Sequence, residues 1–210
     1  MKGYTYNMQY KKEEVRKAIL KSAENEFINK GYQKSSVRKI AKGANVLPGN
    51  IYNYFDGKDA IFSEILKPVL TRIEKGKEFI KENEFDRNKG EHPDLSEHQQ
   101  IILHIVSFIE ENRNLLKLLL FKSGGSTLES YPDQLIEWYS EKWYQSISRK
   151  EIADLDSFIV HNIVSFWYST IREILMHDIS GPRLRQTAVE MMTFIYQGYQ
   201  GLLEWKKRKE

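Results

Sequence analysis

Cysteine is missing from all 210 residues of the chain. Its absence excludes disulfides and thiolate metal sites and fits a reducing compartment. The five prolines are scattered, and no stretch is proline-rich or repetitive. Long hydrophobic runs are also missing. The longest uncharged apolar stretch, residues 158–171, is about 14 residues against the ~20 a membrane span needs, so a buried helix is expected there. The N-terminal MKGYTYNMQYKKEEVRK has no apolar core, so no signal peptide is expected. The histidines His92, His98, His104, His161 and His177 form no close pair of the HExxH kind, so no metal is expected. No nucleophile elbow and no phosphate-cradling glycine loop is present, so neither catalytic residues nor a cofactor are expected, and the chain is not read as an enzyme. No alternating run with turn glycines argues for a sheet.

What is present is charge, unevenly placed, and helical periodicity. The whole chain carries a net +3, yet residues 1–60 carry +6 and residues 61–210 carry −3. A basic N-terminal quarter on a mildly acidic body suggests that an anionic partner docks at one end. In that quarter Val15, Ile19, Ala23 and Phe27 recur at i+4, one apolar stripe, and Lys30-Gly31 closes it. Ser35 or Ser36 offers an N-cap, and Val37, Ile40, Ala41 and Ala44 mark a second, short helix. Asn45 sits at the break, where it tolerates a left-handed conformation. Pro48 suits the first turn of a third helix, whose inward face is Ile51 and Phe55. Asp56-Gly57 ends that helix, and Lys58 opens a longer one with Ile61, Ile65, Val69 and Ile73 as its stripe. Pro68, inside this pattern, is expected to kink or split it near Lys67. The stretch Ser35–Lys58 has the layout of a helix-turn-helix, whose second helix enters the DNA major groove.

Beyond it, the polar residues 83–98, with Gly90 and Pro93, read as a loop. Helical patterns cover roughly 96–111, 113–122, 128–149, 153–179 and 183–207, separated in places by Gly124-Gly125 and Ser180-Gly181-Pro182. The fold is expected to be all-α, of about nine helices.

The segment FINKGYQKSSVRKIAKGANVLPGNIYNYFDGKDAIFSEIL resembles the N-terminal DNA-binding domain of TetR/AcrR-type transcriptional regulators. The matching residues are Gly31-Tyr32, Val37 with Ile40-Ala41, Ala44-Asn45-Val46, Gly49, Ile51-Tyr52, Phe55 and Lys58. The sequence departs from the pattern at three positions. Asn45 stands for the usual turn glycine, Leu47 for a polar cap, and Tyr54 for a histidine. The resemblance implies a helix-turn-helix domain over 1–58 and a helical effector-binding and dimerisation domain over 59–210.

The outward residues of the short helices suit DNA. Gly49 allows close backbone approach, and Pro48 helps define the helix start. Asn50 and Asn53 carry amides that can read a base edge, and Tyr52 and Tyr54 can donate to phosphate oxygens. By resemblance, Arg38 points into the groove, where its fork fits guanine, and Ser36 and Lys58 match positions that hold phosphate. Lys34 and Lys39 are electrostatic candidates. The resemblance also places the last two apolar helices in a four-helix homodimer interface, with Ile159, Ile163, Phe166, Met191, Phe194, Ile195, Gly198 and Leu202 at helical spacing. Candidate walls of an effector pocket are His104, Phe108, Phe121, Trp138, Tyr139, Trp143, His161, Trp167 and Tyr168. The function so implied is a cytoplasmic, homodimeric repressor of a palindromic double-stranded DNA operator, released by a small, largely hydrophobic effector. The alternative keeps the DNA module and gives the body a protein partner instead of a small molecule.

Overall fold

The computed structural model describes residues 2–82, 95–148 and 155–208. Most of the polar segment read as a loop, with His92, Gly90 and Pro93, lies outside the described residues. Among the described residues there is no strand and there are eight helices. These are α1 (Lys2–Lys34), α2 (Val37–Gly43), α3 (Pro48–Ile51), α4 (Lys58–Glu82), α5 (Leu95–Lys122), α6 (Tyr131–Ser148), α7 (Ser157–Met176) and α8 (Gly181–Lys207).

The count of about nine becomes eight because 96–111 and 113–122 are parts of one helix. Asn112 takes a non-helical conformation inside α5 (φ −119°, ψ 15°). Neither glycine nor proline stands at that junction, so the helix bends and continues. The side-chain amide of Asn112 donates to the Phe108 carbonyl at 2.9 Å. The split expected at Pro68 does not occur either, and α4 runs on to Glu82 with the proline inside it. Ile61, Phe62, Ile65, Leu66 and Val69 are buried on both sides of the proline and hold the helix across the missing N–H.

Three helix ends follow from local chemistry. Gly31 breaks α1 with φ 72° and ψ 166°, a conformation that only glycine adopts without strain. The α7 N-terminus is capped by Asp156, whose carboxylate accepts from the Phe158 N–H at 2.9 Å. At its other end Asp178 takes a left-handed φ of 52°, and the Ile179 N–H donates to the Ile174 carbonyl at 3.0 Å.

The chain folds as two units, Met1–Glu74 with Asn114–Ser130, and Lys75–Arg113 with Tyr131–Glu210. In the first, Ile19, Ala23, Phe27, Ile40, Ala41 and Ile51 are fully buried. The Phe27 and Tyr32 rings each meet Phe62 edge-on at 5.0 Å between centroids. The far end of α5 closes this core. Lys122 donates to the Ile28 carbonyl, and the Thr127 N–H donates to Asp59 at 3.3 Å. The second unit has its own buried residues, among them a cluster of Leu155, Val160 and Leu203 against which Trp143, Tyr144, Tyr199 and Leu202 pack.

Candidate nucleic-acid interface

Helix α2 is pressed against α1. Ser22 on α1 donates its hydroxyl to the Ile40 carbonyl at 2.8 Å, and a Cβ on Gly43 would stand 2.3 Å from that hydroxyl. The turn after α2 is a full Schellman closure. Asn45 has φ 55°, its N–H donates to the Lys42 carbonyl at 3.2 Å, and the Val46 N–H donates to the Ala41 carbonyl at 3.0 Å. The left-handed conformation expected for Asn45 is therefore present. Helix α3 has one regular turn, which the following residues extend. The Asn53 N–H donates to Asn50 at 3.2 Å, and the Phe55 N–H donates to Ile51 at 3.0 Å.

The two faces of this segment separate as the spacing predicts. Ile51 and Phe55 are buried, and the Arg16 guanidinium lies 5.1 Å over the Phe55 ring. Arg16 also pairs with Glu64 at 2.6 Å, a bond that holds the Glu64 carboxyl below its ordinary range. Outward, Arg38, Lys39, Pro48, Gly49, Asn50, Tyr52 and Asn53 are exposed, while Ser36, Tyr54 and Lys58 are half-buried. A Cβ on Gly49 would meet nothing within 4 Å, so the fold itself does not require glycine there. Ser36 sits at the start of α2 in extended conformation, and its hydroxyl makes no capping bond. Lys39 stands 3.9 Å from Glu26.

Lys58 also has an internal role. Its ammonium donates to the Tyr32 carbonyl at 2.9 Å and the Ser35 carbonyl at 3.4 Å, and lies 4.1 Å over the Tyr32 ring. It thus ties the end of α1 to the start of α4. Tyr32 is itself constrained. Burial, then its hydrogen bond to Asp59, pushes its hydroxyl up to about 12. Leu47 holds the capping position without a side-chain oxygen to offer. It stands 72% exposed at the start of α3, and the signal for it was an apolar residue at a capping position.

The candidate effector residues are distributed over both units. Phe121 belongs to the first unit and the others to the second. His104 and His161 are exposed. Trp138 and Tyr139 meet edge-on at 4.9 Å, and the Lys77 ammonium lies 5.1 Å from the Trp138 ring. Trp143 packs on Tyr199 at 5.7 Å. Phe108, Trp167 and Tyr168 are half-buried, and burial raises the Tyr168 hydroxyl. A surface hollow of about 440 Å³ in the second unit is lined by Val106, Glu110, Gly181, Pro182, Arg185, Gln186 and Val189. No cluster of metal-ligating side chains occurs among the described residues, and no helix there is long and apolar enough to cross a membrane.

On α7 and α8, Ile159, Phe166, Phe194 and Gly198 are exposed, and Ile163, Met191 and Ile195 are half-buried. The Phe166 and Phe194 rings lie 6.2 Å apart, so the two helices share this outward apolar patch. Leu202 packs instead against the intrachain cluster of Leu155, Val160 and Leu203.

Residues 19–65 match the family model of bacterial regulatory proteins, tetR family. Over 115 residues the chain is 31% identical to an uncharacterised helix-turn-helix transcriptional regulator, YdgC, of Bacillus subtilis, covering 54% of this chain and 57% of that one. The chain thus spans little more than half the length of that curated relative. The fold is shared with solved structures, of which two are informative. NalD, the secondary repressor of the MexAB-OprM multidrug efflux pump in Pseudomonas aeruginosa, matches with TM-score 0.62 and 20% identity over 90% of this chain and 97% of that one. The transcriptional regulator FadR of Bacillus subtilis, solved with stearoyl-CoA, matches with TM-score 0.54 and 22% identity over 85% and 96%. The helix-turn-helix geometry and the matched segment agree, so residues 19–65 form a helix-turn-helix domain of the kind found in bacterial regulatory proteins of the tetR family.

Proposed function

We propose that the chain is a cytoplasmic, homodimeric, DNA-binding transcriptional regulator that represses by occupying a palindromic operator and is released by a small, largely hydrophobic effector. The observation that carries this reading is the two-faced α2–α3 segment. Ile40, Ile51 and Phe55 are buried, while Arg38, Gly49, Asn50, Tyr52 and Asn53 stand exposed on a basic end of the chain. Arg38 and the two asparagines read base edges; Tyr52, Tyr54, Ser36 and Lys58 hold phosphates and fix the register. Lys58 keeps one ammonium proton for a phosphate, because the two carbonyls take the other two.

Residues 1–58 supply the reading surface, and residues 59–210 the dimerising and effector-binding body. The exposed Phe166 and Phe194 support a second copy on α7 and α8, since contiguous apolar surface on a helix pair is what an isologous interface covers. Two copies bring two recognition helices to the two halves of a palindrome. The aromatic side chains of α6 and α7 suit a hydrophobic ligand. Such a ligand acts by favouring a dimer conformation whose recognition helices no longer match successive major grooves.

Selection of bound fragments from a random DNA pool tests the reading. The expected product is one palindromic sequence, bound by a dimer with steep salt dependence. Recovery of no enriched sequence would remove the DNA-binding function. Screening hydrophobic small molecules for release from the selected fragment then tests the effector.

A further inference from the structure

We propose that Leu47 reads sequence, setting an apolar knob against the C5-methyl of a thymine at one fixed position in each half of the operator. The inference rests on the DNA-binding function proposed above and names a contact within it. Leu47 is 72% exposed, the highest value among the exposed large hydrophobics of the described residues. It occupies the N-cap of α3 in extended conformation (φ −70°, ψ 144°). Ser, Thr, Asp and Asn are favoured there because a side-chain oxygen takes a free N–H of the first turn.

Helix α3 has little use for such an oxygen. A cap serves the second or third residue of the helix, here Gly49 or Asn50. The Asn50 N–H already donates to the Leu47 carbonyl at 2.9 Å, and Pro48 has no N–H to satisfy. Only the Gly49 N–H would gain from a polar cap. Folding thus asks little of this position beyond one N–H, and yet it holds a large apolar side chain in water.

The surroundings say what could cover it. Pro48 fixes the backbone beside Leu47, and Gly49 leaves open space where a Cβ would stand. The neighbouring exposed residues Asn50, Tyr52 and Asn53 carry the polar groups suited to bases and phosphates. Within a major groove the base edges offer one apolar group, the thymine C5-methyl. Against any other base edge, leucine would strip water from donors and acceptors and return no hydrogen bond.

The test uses the full chain and the operator it selects, with each thymine replaced in turn by deoxyuridine, which removes the methyl and leaves every hydrogen-bonding group. The expected result is one position per half-site where wild-type affinity falls about fourfold, the value of one buried methyl. Leu47→Ala should bind the thymine operator more weakly and show no response at that position. Leu47→Ser, which restores a cap, should melt no lower than wild type and also fail to distinguish the two bases, so that loss of folding is not the cause. Equal responses of wild type and Leu47→Ala at every thymine would overturn the proposal while leaving DNA binding intact. Failure to select any sequence would remove both.

Discussion

Replacing Lys58 with methionine keeps the stem and removes the ammonium, and the structure sets the size of the effect. The ammonium donates to the Tyr32 carbonyl at 2.9 Å and lies 4.1 Å over the Tyr32 ring. A hydrogen bond from a charged donor contributes about 1.5–3 kcal/mol, and a partly solvated cation–π contact about 0.5–1 kcal/mol. The Tyr32 carbonyl is not orphaned by the change, because the Ser35 hydroxyl at 2.6 Å and the Ser35 N–H at 3.2 Å still donate to it. The Ser35 carbonyl at 3.4 Å adds little. The expected destabilisation is about 2 kcal/mol, or roughly 4–8 °C in Tm for a chain of this size melting as one unit. Urea unfolding followed by circular dichroism measures it. DNA binding supplies a second, separate readout. Loss of one phosphate contact per protomer lowers the slope of log K against log salt by about 0.9 per protomer. An unchanged urea midpoint would refute the clamp between α1 and α4. A destabilised protein with an unchanged slope would refute the phosphate contact and keep the clamp.

Three further perturbations separate other parts of the argument. Gly43→Ala should destabilise by about 1 kcal/mol despite alanine's helix preference, because it displaces the Ser22 hydroxyl from the Ile40 carbonyl; in a Ser22→Ala background, where only the Cβ contact remains, the same change should cost less, so equal effects in both backgrounds would exclude the packing account. Tyr32 has a hydroxyl raised from 10.0 to about 12, so it contributes stability fully present below pH ~10 and lost as pH rises through ~12; Tyr32→Phe should remove that part of the alkaline loss in urea titrations across this window. Arg38→Ala should cost about 1–3 kcal/mol on the selected operator and relax one base pair, whereas an equal loss on random DNA would leave Arg38 a phosphate contact.

Much of the reading head was legible because its signals are local. The stripe Ile19, Ala23, Phe27 is fully buried, and Asn45 takes the left-handed turn that its side chain tolerates. Val15 at the head of that stripe is only half-buried. The illegible parts depend on long-range packing. Pro68 sits unbroken in α4 because the buried residues flanking it outweigh one lost hydrogen bond, a balance no window of sequence contains. Lys58 read as a phosphate ligand because its two carbonyl partners lie 26 and 23 residues earlier in the chain. The aromatics of the second unit share one periodicity whether they form core, as Trp143 does, or stand at the surface, as Phe194 does. Spacing alone therefore could not sort pocket, core and interface.

The segment Asn114–Ser130 belongs to the same unit as Met1–Glu74, although 39 residues of the other unit intervene. The Lys122–Ile28 bond spans 94 positions, and the Thr127–Asp59 bond spans 68. During synthesis the ribosome therefore releases the whole helix-turn-helix well before the residues that close its core. At about 5–20 residues per second, the nascent head waits several seconds for its last helix. A fragment ending at Lys58 or Glu74 would leave Asp59, where present, and the Ile28 carbonyl without these partners, so such a fragment lacks part of what closes the first unit.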